Sequence, residues 1–461
     1  MERGMLDQET VEEQIRDDEI DTVLMVFPDQ QGRFMGKRLT GRYFLEDVLQ
    51  GGEGAIHACN YLLAVDMEME PIPGYAYANW DTGYGDLAMR PDLSTMRAVP
   101  WLEKTALVIC DVFDEETGEP VEVAPRQILK RQIERAAAAG YTVKCGSELE
   151  FYLFKDSFEE AAGKGYRGLK PHSDYIMDYH ILQTTKDEYV IRAIRNHMDN
   201  AGVPVEFSKG EFGKGQQEIN LRYADALTMA DRHTVYKNGV KEIASGLGRA
   251  VTFMAKWTMA EAGSSCHLHS SVWNEDGSTS LMWDEGGEHH MSDLFRSYLG
   301  GLMSTAREMA WMFAPSVNSF KRYQAGSWAP TAIAWGHDNR TCGFRLVGEH
   351  GGLRIESRIP GADANPYYAF AATIAAGLHG IENGVEPPAM FHGNAYVAED
   401  VPRVPTSLHE AVAEFEGSEV ARKAFGDAVF EHLLNTARQE QIIFDNTTVT
   451  DWELSRYFER M

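Results

Sequence analysis

One run stands out in the pattern of apolar and polar positions. Val143 to Phe154 reads "VKCGSELEFYLF": apolar and β-prone, yet carrying Glu148 and Glu150 two residues apart. Residues two apart on a strand share a face, so the run predicts a strand over 142–154 that aims two carboxylates side by side. Similar patterns predict strands over 22–29, 106–114, 215–222, 266–273, 330–336, 341–347 and 353–359. Helices are predicted over 11–18, 124–140, 185–201, 224–247, 291–312, 366–383, 407–414, 418–439 and 450–458. In the second of these, Pro125 sits near the start, Gly140 follows the end, and Ile128, Ile133 and Ala137 share a face. Asn365 and Pro366 read as the cap and first residue of a buried helix, which makes the uncharged run from Ala364 to Ile381 a core element and not a membrane span. The order of elements predicts an α+β chain. A small strand-dominated unit over 15–115 precedes a larger mixed unit over 120–461, with no internal repeat.

Charge narrows the field of partners. The 461 residues include 43 Lys and Arg against 70 Asp and Glu, a net charge of −27. Such a chain has no electrostatic footprint for nucleic acid or an anionic membrane, and any basic cluster in it calls for a specific anionic ligand. The five cysteines are scattered and form no CxxC pair, so neither a disulfide framework nor a thiolate zinc site is expected. The charged N-terminus lacks the apolar stretch of a signal peptide, and a reducing cytoplasm is the expected location.

Two adjacent buried carboxylates need positive charge. Three further segments offer matching chemistry. "VEFSKGEFGKGQQEINLRY" holds Glu206, Glu211 and Glu218, "GSSCHLHSS" puts His267 and His269 on one strand face, and "LRIESRIP" aligns Arg354, Glu356 and Arg358. Any one of these alone suits a solvated strand face. Four of them in apolar strand sequence point to hard divalent ions, Mg2+ or Mn2+. Lys321, Arg322, Arg340, Arg345, Arg354 and Arg358 form a basic cluster suited to phosphate and carboxylate. With no Walker A loop and no Rossmann fingerprint, the combination suggests phosphoryl transfer by positioning and charge neutralisation.

The motifs "GSELEF", "GEFGKGQQE", "GSSCHLH", "NSFKRY", "NRTCGFR" and "RIESRIPGADANPY" occur in the order of the glutamine synthetase family, and the chain resembles that family over nearly its whole length. The resemblance implies a small β-grasp-like N-terminal domain and a large C-terminal catalytic domain with a curved antiparallel sheet. It also implies a homo-oligomer, commonly a dodecamer of two hexameric rings, with active sites between subunits. It implies ATP as co-substrate and L-glutamate as acceptor of its phosphoryl group. By the same resemblance, Glu150, Glu211 and Glu218 hold one Mg2+ or Mn2+, and Glu148, His267 and Glu356 hold a second. Arg322, Arg358 and Gly263 fall at glutamate positions, and Arg340 and Arg345 at those facing the transferring phosphoryl group. Glu206, Tyr223, His269, Ser271, Arg345 and Arg354 fall at nucleotide positions.

The sequence departs from the ammonia-using members in three places. Trp328 stands where they carry a glutamate that closes over the intermediate. The aspartate motif that binds ammonium is absent, Asp81 being the nearest candidate, and Ala262 replaces a frequent asparagine. The expected function is therefore γ-glutamylation of a primary amine larger than ammonia: a polyamine, ethanolamine or another alkyl or aryl amine. The alternatives are an ammonia-using glutamine synthetase with an unusual site and a non-catalytic descendant of the fold. Tyr396 lies where some members carry a tyrosine that is adenylylated, in a differing loop.

Overall fold

The computed structural model describes residues 2–51 and 54–461. Its elements form an α+β fold around two sheets. The first contains β1 (Thr22–Pro28), β2 (Phe34–Thr40), β3 (Ile56–Cys59), β4 (Asp86–Pro91), β5 (Arg97–Ala98) and β6 (Thr105–Asp114), in the order β2-β1-β6-β4-β3 with β5 against β6. The β1–β6 pair is parallel and the other pairs are antiparallel.

The second sheet positions the chemistry. It contains β7 (Tyr141–Leu153), β8 (Val205–Gly210), β9 (Gln216–Leu221), β10 (Ala224–Asp225), β11 (Val251–Thr252), β12 (Cys266–Asn274), β13 (Trp335–His337), β14 (Phe344–Val347) and β15 (Arg354–Ser357). The order is β13-β14-β15-β12-β7-β9-β8, with β10 and β11 also against β7. The sheet is antiparallel except for its β13–β14 edge, which is parallel. The long strand β7 is central. Leu149 and Phe151 are fully buried, and Phe151 packs 5.4 Å, centroid to centroid, from Phe253. The pleat then turns Glu148 and Glu150 to the opposite face.

Register brings the motifs together. Glu148 stands opposite His267 on one side and Asn220 on the other, and Glu150 stands opposite Glu218. Glu356 stands opposite His269 and Arg345. Facing residues in antiparallel strands have Cβ atoms about 4.5–5.5 Å apart, so the register alone collects the acids and imidazoles on one face.

The expected helix over 366–383 forms at Pro366–Asn383, with Asn365 accepting from the Tyr367 amide at 3.0 Å and Gly384 ending it at φ +57. It is buried nearly throughout, and among the described residues no helix is long and apolar enough to cross a membrane. The expected helix over 418–439 is broken at Gly426, φ +80, into Glu419–Phe425 and Asp427–Thr447. That over 291–312 breaks after Ser304 and resumes at Ala310–Phe313. The strand expected over 330–336 shortens to Trp335–His337, because residues 331–333 bond instead to the 402–404 segment. β15 ends at Ser357, which leaves Arg358 just past the strand.

Candidate active site

Two groups of carboxylates and imidazole meet on the β7 face. Glu148, His267 and Glu356 each offer a ligand atom within 4.8 Å of one another, and so do Glu150, Glu211 and Glu218. In the first group, His267 Nδ1 lies 2.8 Å from Glu148 Oε1 and 3.5 Å from Glu356 Oε1, while its Nε2 is buried without a partner. Burial and the nearby Arg358 charge lower the pKa of His267, outweighing Glu148, and this favours the neutral, ligating form. Burial raises the pKa of the Glu148 carboxyl, but hydrogen bonds from His267 and His269 outweigh it and hold the group well below the usual carboxylate range.

The second group lacks such partners. Glu150 is pushed well above the ordinary carboxylate value by burial and by Glu211, although Glu150 Oε2 accepts from the Ser265 amide at 2.8 Å and the Gln216 amide at 3.0 Å. Burial and Glu148 push Glu218 up to about 11. Lys209, on β8, pairs with Glu211 and stands 3.9 Å from Glu218. One ammonium thus supplies part of the charge this group demands. The second cluster is oxygen-rich and short of positive charge, and the first presents two carboxylates and a neutral imidazole whose Nε2 has no partner; both donor sets fit hard divalent ions.

The arginines ring Glu356. Arg358 Nη1 donates to Glu356 Oε1 at 2.6 Å, and Arg345 Nη1 to Glu356 Oε2 at 2.8 Å. Burial opposes ionisation of Glu356, but the nearby positive charge, that of Arg358 first, outweighs it and brings its pKa down to about 2. Arg345 also donates to Asp338, and Arg340, half exposed, lies 3.9 Å from the same carboxylate. Arg322 differs from expectation. It is 1% exposed, donates to Ser265 Oγ at 3.0 Å and to the Ile359 carbonyl, and does not line the cavity. Gly263 covers it: a Cβ there would overlap the Arg322 stem and come 2.7 Å from the Ala255 carbonyl. Lys321 is exposed.

Both carboxylate groups open into a cavity of about 730 Å3, which Gly263, Arg340, Arg345 and Arg358 also line. A smaller neighbouring cavity, about 210 Å3, is lined by Glu206, Tyr223, His269, Ser271 and Arg354. Five of the six nucleotide candidates therefore share one space, and Arg345 faces the larger one. Arg354 Nε donates to His269 Nδ1 at 3.2 Å. Sequence reasoning missed Phe207, which lines both cavities, and Trp273, over whose ring the Lys144 ammonium sits at 4.0 Å.

Trp328 lines the larger cavity at φ +66, with its ring centroid 5.9 Å from that of Phe212. Tyr179, Ile181 and Ala262 line the same cavity. Asp178 is the one lining carboxylate outside the two groups. None of Phe212, Tyr179, Ile181 and Asp178 was legible as a site residue, because nothing in their local pattern marks them. Asp81 is not brought to the cavity by its own chain: it lies in an exposed turn where its amide donates to Asn79 Oδ1 at 2.9 Å. The Tyr396 hydroxyl is buried without a partner, not displayed to solvent. Burial raises its pKa, against the pull of Arg358 and Arg322.

Residues 122–457 match the family described as glutamine synthetase, catalytic domain. The γ-glutamylethanolamide synthetase GlnA4 of Streptomyces coelicolor is 52% identical over 96% of this chain and 94% of its own length. The glutamate–isopropylamine ligase of a Pseudomonas species is 38% identical over 95% of each chain. A solved GmaS/ADP complex superposes with a TM-score of 0.84 at 29% identity, covering 97% of this chain and 99% of that one. The protein is a member of the glutamine synthetase family and a ligase that forms a C–N bond.

Proposed function

We propose that the protein is an ATP-dependent γ-glutamyl–amine ligase whose acceptor is a small primary amine with a carbon skeleton, of the ethanolamine or short alkylamine kind. The observation that carries this reading is the wall of Trp328, Phe212, Tyr179 and Ile181 in the same cavity as the carboxylate groups. Ammonia has no carbon to place against such a wall, whereas a two- or three-carbon amine buries its chain there. The two relatives named for ethanolamine and isopropylamine support it.

In this reading the γ-carboxylate of L-glutamate takes the terminal phosphoryl group of ATP, with release of ADP. The amine nitrogen then attacks the acyl carbon, phosphate leaves, and the amine loses a proton. Glu150, Glu211 and Glu218, and Glu148, His267 and Glu356, would each hold a divalent cation, which when bound would supply positive charge toward the carboxylate and phosphates. Arg358, beside Glu356, binds the glutamate carboxylate. Arg345 and Arg340 face the transferring phosphoryl group and neutralise the charge that develops on it. Tyr223 and Phe207 flank the adenine, with Glu206, His269, Ser271 and Arg354 around the nucleotide. Arg322 is a positioning residue that fixes Gly263 and the 358–359 backbone.

A primary alkylammonium has a pKa near 10, so the amine arrives protonated and must lose a proton before it attacks. Asp178, placed with the aromatic wall and outside both carboxylate groups, is the residue assigned to hold that ammonium and receive the proton. The active sites operate within a ring-shaped homo-oligomer, where Asp81 of a neighbouring subunit closes the amine end. The test is a panel of amines with ATP, Mg2+ and glutamate, read by phosphate release and product mass. The reading requires an alkylamine to exceed ammonium in kcat/KM, and ammonium as the best acceptor would overturn it.

A further inference from the structure

A third cavity, about 520 Å3, shares no lining residue with the two already described. It lies where the β1–β2 turn, the helix Ala226–Gly246, residues 311–318 and the helix Asp427–Thr447 meet. That volume is within the range of small-molecule sites.

Its charges are arranged unusually. Lys237 and Lys241 stand one helical turn apart and put their ammonium groups 5.8 and 5.9 Å from the centroid of one ring, Phe253. Among the described residues neither lysine forms an ion pair, and the one hydrogen bond of Lys237 is to the Ala364 carbonyl at 3.3 Å. Arg33, Asp66 and Asp363 also line the cavity but are engaged: Arg33 pairs with Asp29, Asp66 accepts from the Glu68 and Glu70 amides, and Asp363 accepts from the Ser316 and Ser319 hydroxyls. Glu440 lines the same cavity and also lacks an ion pair among the described residues. Acid and lysines therefore share one space without reaching each other. Burial and Lys241 push Lys237 down to about 8 against the pull of Asp363, and burial with Glu68 and Asp66 raises Glu440. Trp311, Met312 and Ile443 give the same cavity apolar lining. The indole N–H of Trp311 is buried and has no acceptor.

We propose that this cavity binds a zwitterion of amino-acid size, with its carboxylate between Lys237 and Lys241 and its ammonium at Glu440. A molecule carrying both charges satisfies both ends at once, and its side chain lies along Trp311 and Met312. A simple carboxylic acid would leave Glu440 bare. The helix that carries both lysines also carries His233, whose Nδ1 lies 2.8 Å from Ser147 Oγ, next to Glu148 on β7. The cavity and the catalytic strand thus rest on one rigid element. The proposal is independent of which amine the active site uses.

The test is isothermal titration of the full-length protein with L-methionine and L-phenylalanine, zwitterions without the γ-carboxylate that the ligase reaction needs, and with 3-phenylpropionate as the acid-only control. The expected result is saturable binding of at least one of the two. That binding should weaken tenfold or more in Lys241→Met and in Glu440→Gln, with turnover in both variants within twofold of the parent. 3-Phenylpropionate should bind at least tenfold more weakly than phenylalanine. Lys237→Met should behave like Lys241→Met, and if it does not fold the other two variants decide. No binding of either zwitterion, binding indifferent to both charge ends, or equal binding of the acid would overturn the proposal.

Discussion

The Trp328 ring stands 5.9 Å from that of Phe212 in the wall of the cavity onto which both carboxylate groups open, and its backbone is held at φ +66. A bulky residue in the left-handed region costs of order 1 kcal/mol or more, so the loop sacrifices local stability to present this indole. Trp328→Ala should raise the KM for an alkylamine about tenfold, roughly 1.4 kcal/mol, and leave the KM for glutamate within twofold. Initial rates across an ethanolamine series measure this, and an unchanged amine KM would remove Trp328 from the acceptor site.

The second carboxylate group tests the metal assignment in both directions. Without metal, Glu150 and Glu218 face each other across paired strands, buried and short of positive charge. Glu218→Gln should therefore leave the metal-free protein as stable as the parent or more so, by about 1 kcal/mol. Added Mg2+ or Mn2+ should raise the melting temperature of the parent, by up to ~2.7 kcal/mol in stability at a hundredfold excess over Kd, and raise that of the variant far less. Excess EDTA should abolish turnover. A parent protein indifferent to metal in both readouts would contradict the assignment.

The two arginines behind the glutamate assignment should separate by their kinetics. Arg358 touches Glu356 and lines the cavity, whereas Arg322 is buried beneath Gly263 on backbone carbonyls. Arg358→Lys should raise the glutamate KM tenfold or more with the ATP KM nearly unchanged and the melting temperature intact, since it loses only a fork. Arg322→Lys should also lower the melting temperature, because its partners lie in the core. Identical profiles for the two would refute the division.

Period-two spacing made Glu148, Glu150, His267, His269 and Glu356 legible as residues of shared faces, and β-pairing then joined those faces. The aromatic wall was not legible. Phe207 is on a strand that the sequence did not predict, whose pairing carries an irregularity between Val205 and Phe207, and Phe212 and Tyr179 sit in irregular segments without periodicity. The burial of Arg322 was hidden for a related reason. Its basic neighbours suggested a substrate contact, and only the packing of Gly263 and the Ile359 carbonyl around it shows where the side chain goes. The break at Gly426 interrupts a pattern whose apolar positions continue on both sides.

Stability should fall in acid through His432. Its ring lies 4.5 Å from that of Tyr75, and Nε2 meets the Gln30 amide, which also donates to the Leu63 carbonyl at 2.6 Å. Burial pushes His432 down to about 3, below the ~6.5 of an exposed histidine. Between those values the unfolded chain binds a proton that the folded chain does not, so this contribution is complete above pH ~6.5 and is lost as pH falls, by up to ~1.4 kcal/mol per unit. His432→Gln keeps an acceptor and removes the proton. The slope of unfolding free energy against pH between 6 and 4.5 should be shallower in the variant by close to one proton, and equal slopes would contradict the assignment.

The proton acceptor can be tested by rate alone. Asp178 is exposed and bonds to Lys209 at 3.3 Å, so Asp178→Asn should leave the fold intact. It should lower kcat with alkylamines by 10²-fold or more, in the range of a lost general base, while the glutamate KM stays within a few-fold. A variant with full kcat would clear Asp178 of that role.

The acceptor itself is the central claim, and a single competition measures it. The protein is incubated with ATP, Mg2+ and L-glutamate together with ethanolamine, isopropylamine and ammonium at equal free-base concentrations, and early products are separated by mass. The account predicts that γ-glutamyl-amide products of the alkylamines outnumber glutamine at least tenfold. Glutamine as the dominant product would contradict it.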